Sequence, residues 1–81
     1  MQRVSSKTDV DAELAILGSA IRGIRKEKNI SQEALADWAG LDRSHMGRIE
    51  RGERNVTVLN LLRIAKALDC KLAELFQAAG L

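Results

Sequence analysis

Two helix-length segments joined by one glycine turn, SQEALADWAGLDRSHMGRIERG at residues 31–52, constrain this chain more than any other stretch. Ser31 offers a side-chain oxygen to start the first segment, helix formers continue it to Ala39, and Gly40 breaks it. Asp42 then opens a second helix that Gly52 ends. Leu35, Ala36, Ala39, Leu41, Met46 and Ile49 form the apolar set that locks the two helices at a steep angle. The rest of the second helix is polar: Arg43, Ser44, His45, Gly47, Arg48 and Arg51. A helix with arginines and small polar groups on its outer face, braced by a partner at a fixed angle, suits the reading of base edges in a major groove.

Composition narrows the alternatives. The 81 residues include no proline, one Trp and one Phe, and no alternating run of β-branched residues, so strands have little to build on and an all-α fold is expected. With 46% hydrophobic and 30% charged residues the chain reads as one globular domain, too short for a second lobe in which to place a small-molecule ligand. A formal charge of +2 does not by itself select a nucleic-acid partner. Its distribution is more informative: Arg22, Arg25, Lys26 and Lys28 cluster late in the first helix, and Arg43, Arg48, Arg51 and Arg54 on and just after the reading helix. The intervening Glu33, Asp37, Glu50 and Glu53 weaken long-range attraction, which predicts modest, salt-dependent non-specific affinity. One His and one Cys provide neither a metal site nor a catalytic set, so no metal, cofactor or enzymatic activity is expected. Cys70 reads as a small buried hydrophobe before the last helix. No apolar run nears the ~20 residues of a membrane span and no signal-peptide core stands at the start, from which a cytoplasmic location is expected.

Along the chain, residues 1–7 read as a flexible tail and 8–81 as the folded domain. Arg3 and Lys7 leave open a second reading of the tail as an arm that reaches a groove or phosphate. Thr8 is the expected cap of the first helix, with Asp11 completing an approximate capping box and Asp9 and Glu13 favouring its positive end. Leu14, Leu17, Ala20, Ile21 and Ile24 form its buried stripe, and Asn29 its stop; Gly18 and Gly23 weaken it by up to ~1 kcal/mol each. Ile30 staples the next helix, and the Gln32 amide in its first turn can bond a phosphate. Thr57 caps a fourth helix whose Val58, Leu61, Leu62, Ala65 and Leu68 are expected to close the core. The surplus of apolar residues at Leu59, Leu72, Phe76, Ala79 and Leu81 fits a two-fold dimer interface at the last helix.

The residues Ser31-Gln32-Glu33, Leu35-Ala36, Ala39-Gly40-Leu41, Arg43-Ser44, Arg48-Ile49-Glu50-Arg51-Gly52, Leu61 to Leu68 and Leu72 to Phe76 resemble phage repressor and Cro-like (Xre-type) helix-turn-helix regulators over roughly Ala20 to Phe76. The resemblance implies a lambda-repressor-like bundle of five helices with a central helix-turn-helix. Within that group the chain is similar to the small controllers of restriction-modification or phage genes. It further implies that Gln32 contacts the DNA backbone and that Arg25 pairs with Glu50 to tie the reading helix to the scaffold. Trp38, Gly47 and Asp69 depart from the family pattern. Trp38 reads as a cover for the core edge or as a residue over which the N-terminal arm folds. Gly47 reads either as close approach of the helix backbone to DNA or as a chance substitution. Asp69 stands where the left-handed conformation is needed.

The combined expectation is a homodimeric repressor or autoregulator on an inverted-repeat operator in double-stranded DNA. Arg43, Ser44 and Arg48 are expected at the bases, and Gln32, His45, Arg51, Arg54 and Asn55 at the backbone. His45 reads equally as a plain surface residue. The alternative is an antitoxin or adaptor module that uses the same fold chiefly to hold a protein.

Overall fold

A computed structural model describes Asp9 and residues 12–81. Five α-helices follow in order: α1 Glu13–Glu27, α2 Gln32–Ala39, α3 Arg43–Glu50, α4 Val58–Ala67 and α5 Leu72–Ala79. There is no strand among the described residues. α1 packs against α3 and α5, α2 against α3 and α4, and α4 against α5, so every helix has at least two neighbours around one core.

The core is filled by Leu17 and Ile21 of α1, Leu35, Ala36 and Ala39 of α2, Met46 and Ile49 of α3, Leu61, Ile64 and Ala65 of α4, Leu68 at its end and Leu75 of α5. Burying side chains of this size stabilises by roughly 1.5–3 kcal/mol each relative to exposure. The assignment to α4 needs correction. Val58 is 66% exposed and Leu62 is also exposed, whereas Ile64 is fully buried. With ~100° between successive residues, the inward stripe runs 61, 64, 65, 68, which turns Leu62 aside. Val58 lies in the first turn, at the outer end of that stripe.

Three helix starts share one device. The Ser31 hydroxyl accepts the Ala34 N–H at 3.0 Å, the Asp42 carboxylate the His45 N–H at 2.9 Å, and the Thr57 hydroxyl the Asn60 N–H at 3.1 Å. The α1 start lies further along the chain than expected: the helix begins at Glu13, and Asp9 supplies side-chain acceptors to its first turn. Its two carboxylate oxygens accept the N–H groups of Glu13 (2.9 Å) and Leu14 (2.7 Å), and Ala12 bridges the gap in a left-handed conformation. One carboxylate satisfies two orphan donors where a hydroxyl satisfies one. Thr8, Asp11, Arg3, Lys7 and the tail at 1–7 lie outside the described residues. At α5, Lys71 has no acceptor to offer; its own N–H is taken by Glu74 at 3.1 Å. Asn29 and Asp69, at φ 57° and 55°, take the left-handed turns that end α1 and α4.

Two glycines set how α1 meets α3. A Cβ at Gly18 would collide with the backbone carbonyls of Ile49 and Glu50, and one at Gly52 with the backbone of Ala15. Gly18, a weak spot from helix propensity alone, is thus the point where the last turn of α3 rests on the scaffold. No described helix is long and apolar enough to cross a membrane.

Candidate nucleic-acid interface

α2 and α3 are joined by Gly40 in the left-handed conformation (φ 73°) and Leu41, whose N–H returns to the Ala36 carbonyl at 2.8 Å. This closes the corner tightly and turns the polar side of α3 outward. Arg43, Ser44 and Arg48 are all exposed, and His45 is half-buried. Met46 and Ile49, on the opposite side of the same helix, are buried. An open basin of about 430 Å³ is lined by Gln32, Arg43, Ser44, Gly47, Arg48 and Arg51. Arg54 and Asn55 are exposed in the loop beyond α3. Of the residues named for base and backbone contact, Gln32, Arg43, Ser44, Arg48 and Arg51 therefore border one basin, whereas His45, Arg54 and Asn55 are not part of its lining.

The helix carrying them is anchored from beneath. Arg25 of α1 grips Glu50 at the end of α3 with two parallel bonds, Nε to Oε2 at 2.7 Å and Nη2 to Oε1 at 3.0 Å. The side chains are only 10% and 3% exposed. Arg25 Nη1 also donates to the Ile30 carbonyl at 3.0 Å, which ties in the segment before α2. The amide of Gln32 donates from Nε2 to Glu50 Oε1 at 3.0 Å. Gln32, expected to serve the DNA backbone, thus has one amide donor committed within the protein. Its Oε1 lies toward Gly47.

Gly47 is buried on what is otherwise an exposed face. A Cβ there would stand 3.2 Å from Arg51 Nη1 and 3.4 Å from Gln32 Oε1. The glycine makes room for side chains of its own protein. Arg51 in turn is held by Glu53, Nε to Oε2 at 2.8 Å and Nη2 to Oε1 at 3.2 Å, with both side chains exposed. This bidentate bond keeps the Glu53 carboxyl below the usual carboxylate range and holds Arg51 more firmly protonated. Sequence reasoning counted Glu53 only as diffuse negative charge; its spacing of two from Arg51 around Gly52 was the available signal. Arg43 and Glu33 make a looser exposed contact at 4.0 Å.

Two further expectations change. Trp38 is 60% exposed and is not part of the buried core, and the arm expected over it lies outside the described residues. Of the five apolar residues expected at a dimer interface, only Leu59 (57%) and Leu81 (51%) are exposed; Leu72, Phe76 and Ala79 are half-buried against the core. α5 lies along α1 and α4, so one side of its apolar surface is already in use. Cys70 is half-buried, and burial, reinforced by Glu74 and opposed by Lys28, pushes its thiol up. Among the described residues no cluster of metal-ligating side chains occurs.

Comparison with known proteins agrees with this geometry. A family model described as helix-turn-helix matches residues 21–75. Control protein C.SmaI of Serratia marcescens is 44% identical over 66 residues, covering 82% of this chain and 79% of that protein. Control protein C.MunI of a Mycoplasma species is 43% identical over 60 residues, covering 73% of this chain and 81% of that protein. The crystal structure of the restriction-modification controller protein C.AhdI from Aeromonas hydrophila superimposes with a TM-score of 0.79 at 49% identity, covering 80% of this chain and 98% of that one. With the matched segment spanning the capped α2–α3 corner and its arginine-bearing outer face, the chain belongs to the Xre-like helix-turn-helix family of DNA-binding transcriptional regulators.

Proposed function

We propose that this regulator acts as a homodimeric repressor or autoregulator on an inverted-repeat operator, controlling restriction-modification genes as the controller proteins it resembles are named for doing. The observation that carries the reading is the exposed strip of Arg43, Ser44 and Arg48 on a helix whose other side is buried. α3 enters the major groove N-terminus first, so Arg43 and Ser44 lie nearest the bases and Arg48 follows one turn later. An arginine fork matches guanine N7 and O6, each such pair discriminating by about 1–3 kcal/mol, so each half-site contains G·C pairs. Gln32, His45, Arg51, Arg54 and Asn55 border the strip and serve the phosphates, setting register. Leu59 and Leu81, with the free edges of Leu72, Phe76 and Ala79, provide the two-fold contact, which places half-site centres about one helical turn, ~10 bp, apart. Occupancy of the operator, set by protein concentration, is the regulatory signal.

Selection of bound fragments from a random duplex library, followed by sequencing, tests this directly: an inverted repeat with that spacing is expected. Against the selected duplex, Arg43→Ala is expected to relax preference at one base position. Arg54→Ala is expected to weaken all sequences alike and to lower the salt slope by about one. An Arg43→Ala protein with unaltered affinity and base preference overturns the docking. Sedimentation supplies the second check: a monomer without duplex affinity at moderate salt would replace this reading with that of a protein-binding adaptor.

A further inference from the structure

Two side chains cover Gly47, and a carboxylate holds each of them. Gln32 is held by Glu50, which is buried and shared with Arg25, so that bond belongs to the scaffold. Arg51 is held by Glu53, whose carboxylate is exposed and bonds no other side chain among the described residues. The guanidinium fork that closes on the two Glu53 oxygens has the shape that closes on two phosphate oxygens. Arg51 also lines the basin formed with Gln32, Arg43, Ser44, Gly47 and Arg48.

We propose that Glu53 sets operator affinity as an internal stand-in for phosphate: it occupies the Arg51 guanidinium across the bare backbone of Gly47 in the free protein, and a DNA phosphate must displace it. The inference rests on the reading that α3 meets a duplex. Three features of the Arg51–Glu53 pair converge on it. The pair is bidentate, so it satisfies the donors a phosphate would use. Both members are exposed, so exchange needs no rearrangement of the core. Position 47 has no side chain, so Arg51 Nη1 can come within 3.2 Å of where a Cβ would stand, and the guanidinium shares the basin with Arg43 and Arg48. Upon exchange Arg51 trades one anion for another, and the released Glu53 carboxylate is left beside the phosphates. Arg51 therefore adds little net charge neutralisation while Glu53 is present. The mild overall charge of the chain is in this way reinforced at the interface itself, where it limits attraction to any duplex.

The test is a double-mutant cycle on the duplex recovered by selection, with Kd measured over a range of salt for the wild type, Glu53→Gln, Arg51→Ala and the double variant. Glu53→Gln is expected to tighten binding about two- to fivefold, the scale of an exposed ion pair, and to steepen the salt dependence by up to about one unit. In the Arg51→Ala background the same change is expected to bring less than half of that gain. Equal gains in both backgrounds would show Glu53 acting only as diffuse charge and would overturn the proposal, as would no gain in either. Both positions are exposed, so all four proteins are expected to fold, and matching thermal transitions check it. A wild type that binds no duplex would instead bring down the functional reading on which the inference stands.

Discussion

At the scale of single residues, the arrangement turns on what Glu50 touches. Its two oxygens take two bonds from Arg25 and one from Gln32, so three helices meet at one carboxylate. Removing one partner leaves a buried charge without compensation, a loss of about 3–5 kcal/mol. Glu50→Ala is accordingly expected to lower unfolding free energy by that amount in urea titration, and Arg25→Lys to give only partial function of the site, since an ammonium has no second arm to offer. A Glu50→Ala protein as stable as the wild type would show that the anchor is not the pair. The pairing of Arg25 with Glu50 was legible in the sequence through its resemblance to a family. The third partner was not, because the reach of Gln32 depends on the angle between α2 and α3, which no local pattern encodes. Gly47 was opaque for the same reason: the side chains that cover it come from positions fifteen residues before and four after it in the chain.

At the scale of helices, local chemistry decided most boundaries. Ser31, Asp42 and Thr57 cap where their side chains predict, and Gly40, Gly52, Asn29 and Asp69 take the left-handed turns that stop or redirect the chain. These features need only a few neighbouring residues, so the sequence displays them. The start of α1 and the inward face of α4 depended on longer reach, and there expectation and structure part: α1 begins at Glu13 with Asp9 capping from four residues upstream, Leu62 is turned aside, and Val58 is exposed at the outer end of the inward stripe. Among the caps, Asp42 bears most directly on function because it fixes the first turn of α3, where Arg43 and Ser44 stand. Asp42→Ala is expected to cost about 1 kcal/mol of stability. It should also weaken operator binding through looser presentation of that turn. Thermal unfolding and gel retardation of the same protein check the two effects. Lys28 adds a long-range stop: its ammonium donates to the Leu68 carbonyl at 2.6 Å, closing the end of α4 from the end of α1.

At the scale of the whole molecule, the helices divide into a brace and a presented corner. α1, α4 and α5 supply Leu17, Ile21, Leu61, Ile64, Ala65, Leu68 and Leu75 to the core, and α2 and α3 contribute their inner faces to the same core. The bundle was foreseeable because periodic apolar spacing and absence of strand formers leave little else for the chain to do. The sequence shows that Leu72, Phe76 and Ala79 are apolar but not that the packing of α5 along α1 and α4 already half-buries them. The bond between brace and corner is measurable at Gly18. Gly18→Ala places a methyl against the Ile49 and Glu50 carbonyls and is expected to destabilise by about 1–3 kcal/mol, the range for overpacking a close contact. The ordinary helix-propensity scale predicts the opposite sign for this change.

That close seating of α1 on α3, at Gly18 and again at Gly52, has a mechanical outcome. With backbone pressed on backbone at two places, the arginine-bearing rod has no slack with which to tilt toward an ill-fitting groove. In a paired molecule the separation of the two rods is then a fixed length, and any misfit must be absorbed by curvature or twist in the nucleic acid. Base pairs at the centre of the site, untouched by any side chain, would thereby be chosen for their pliancy.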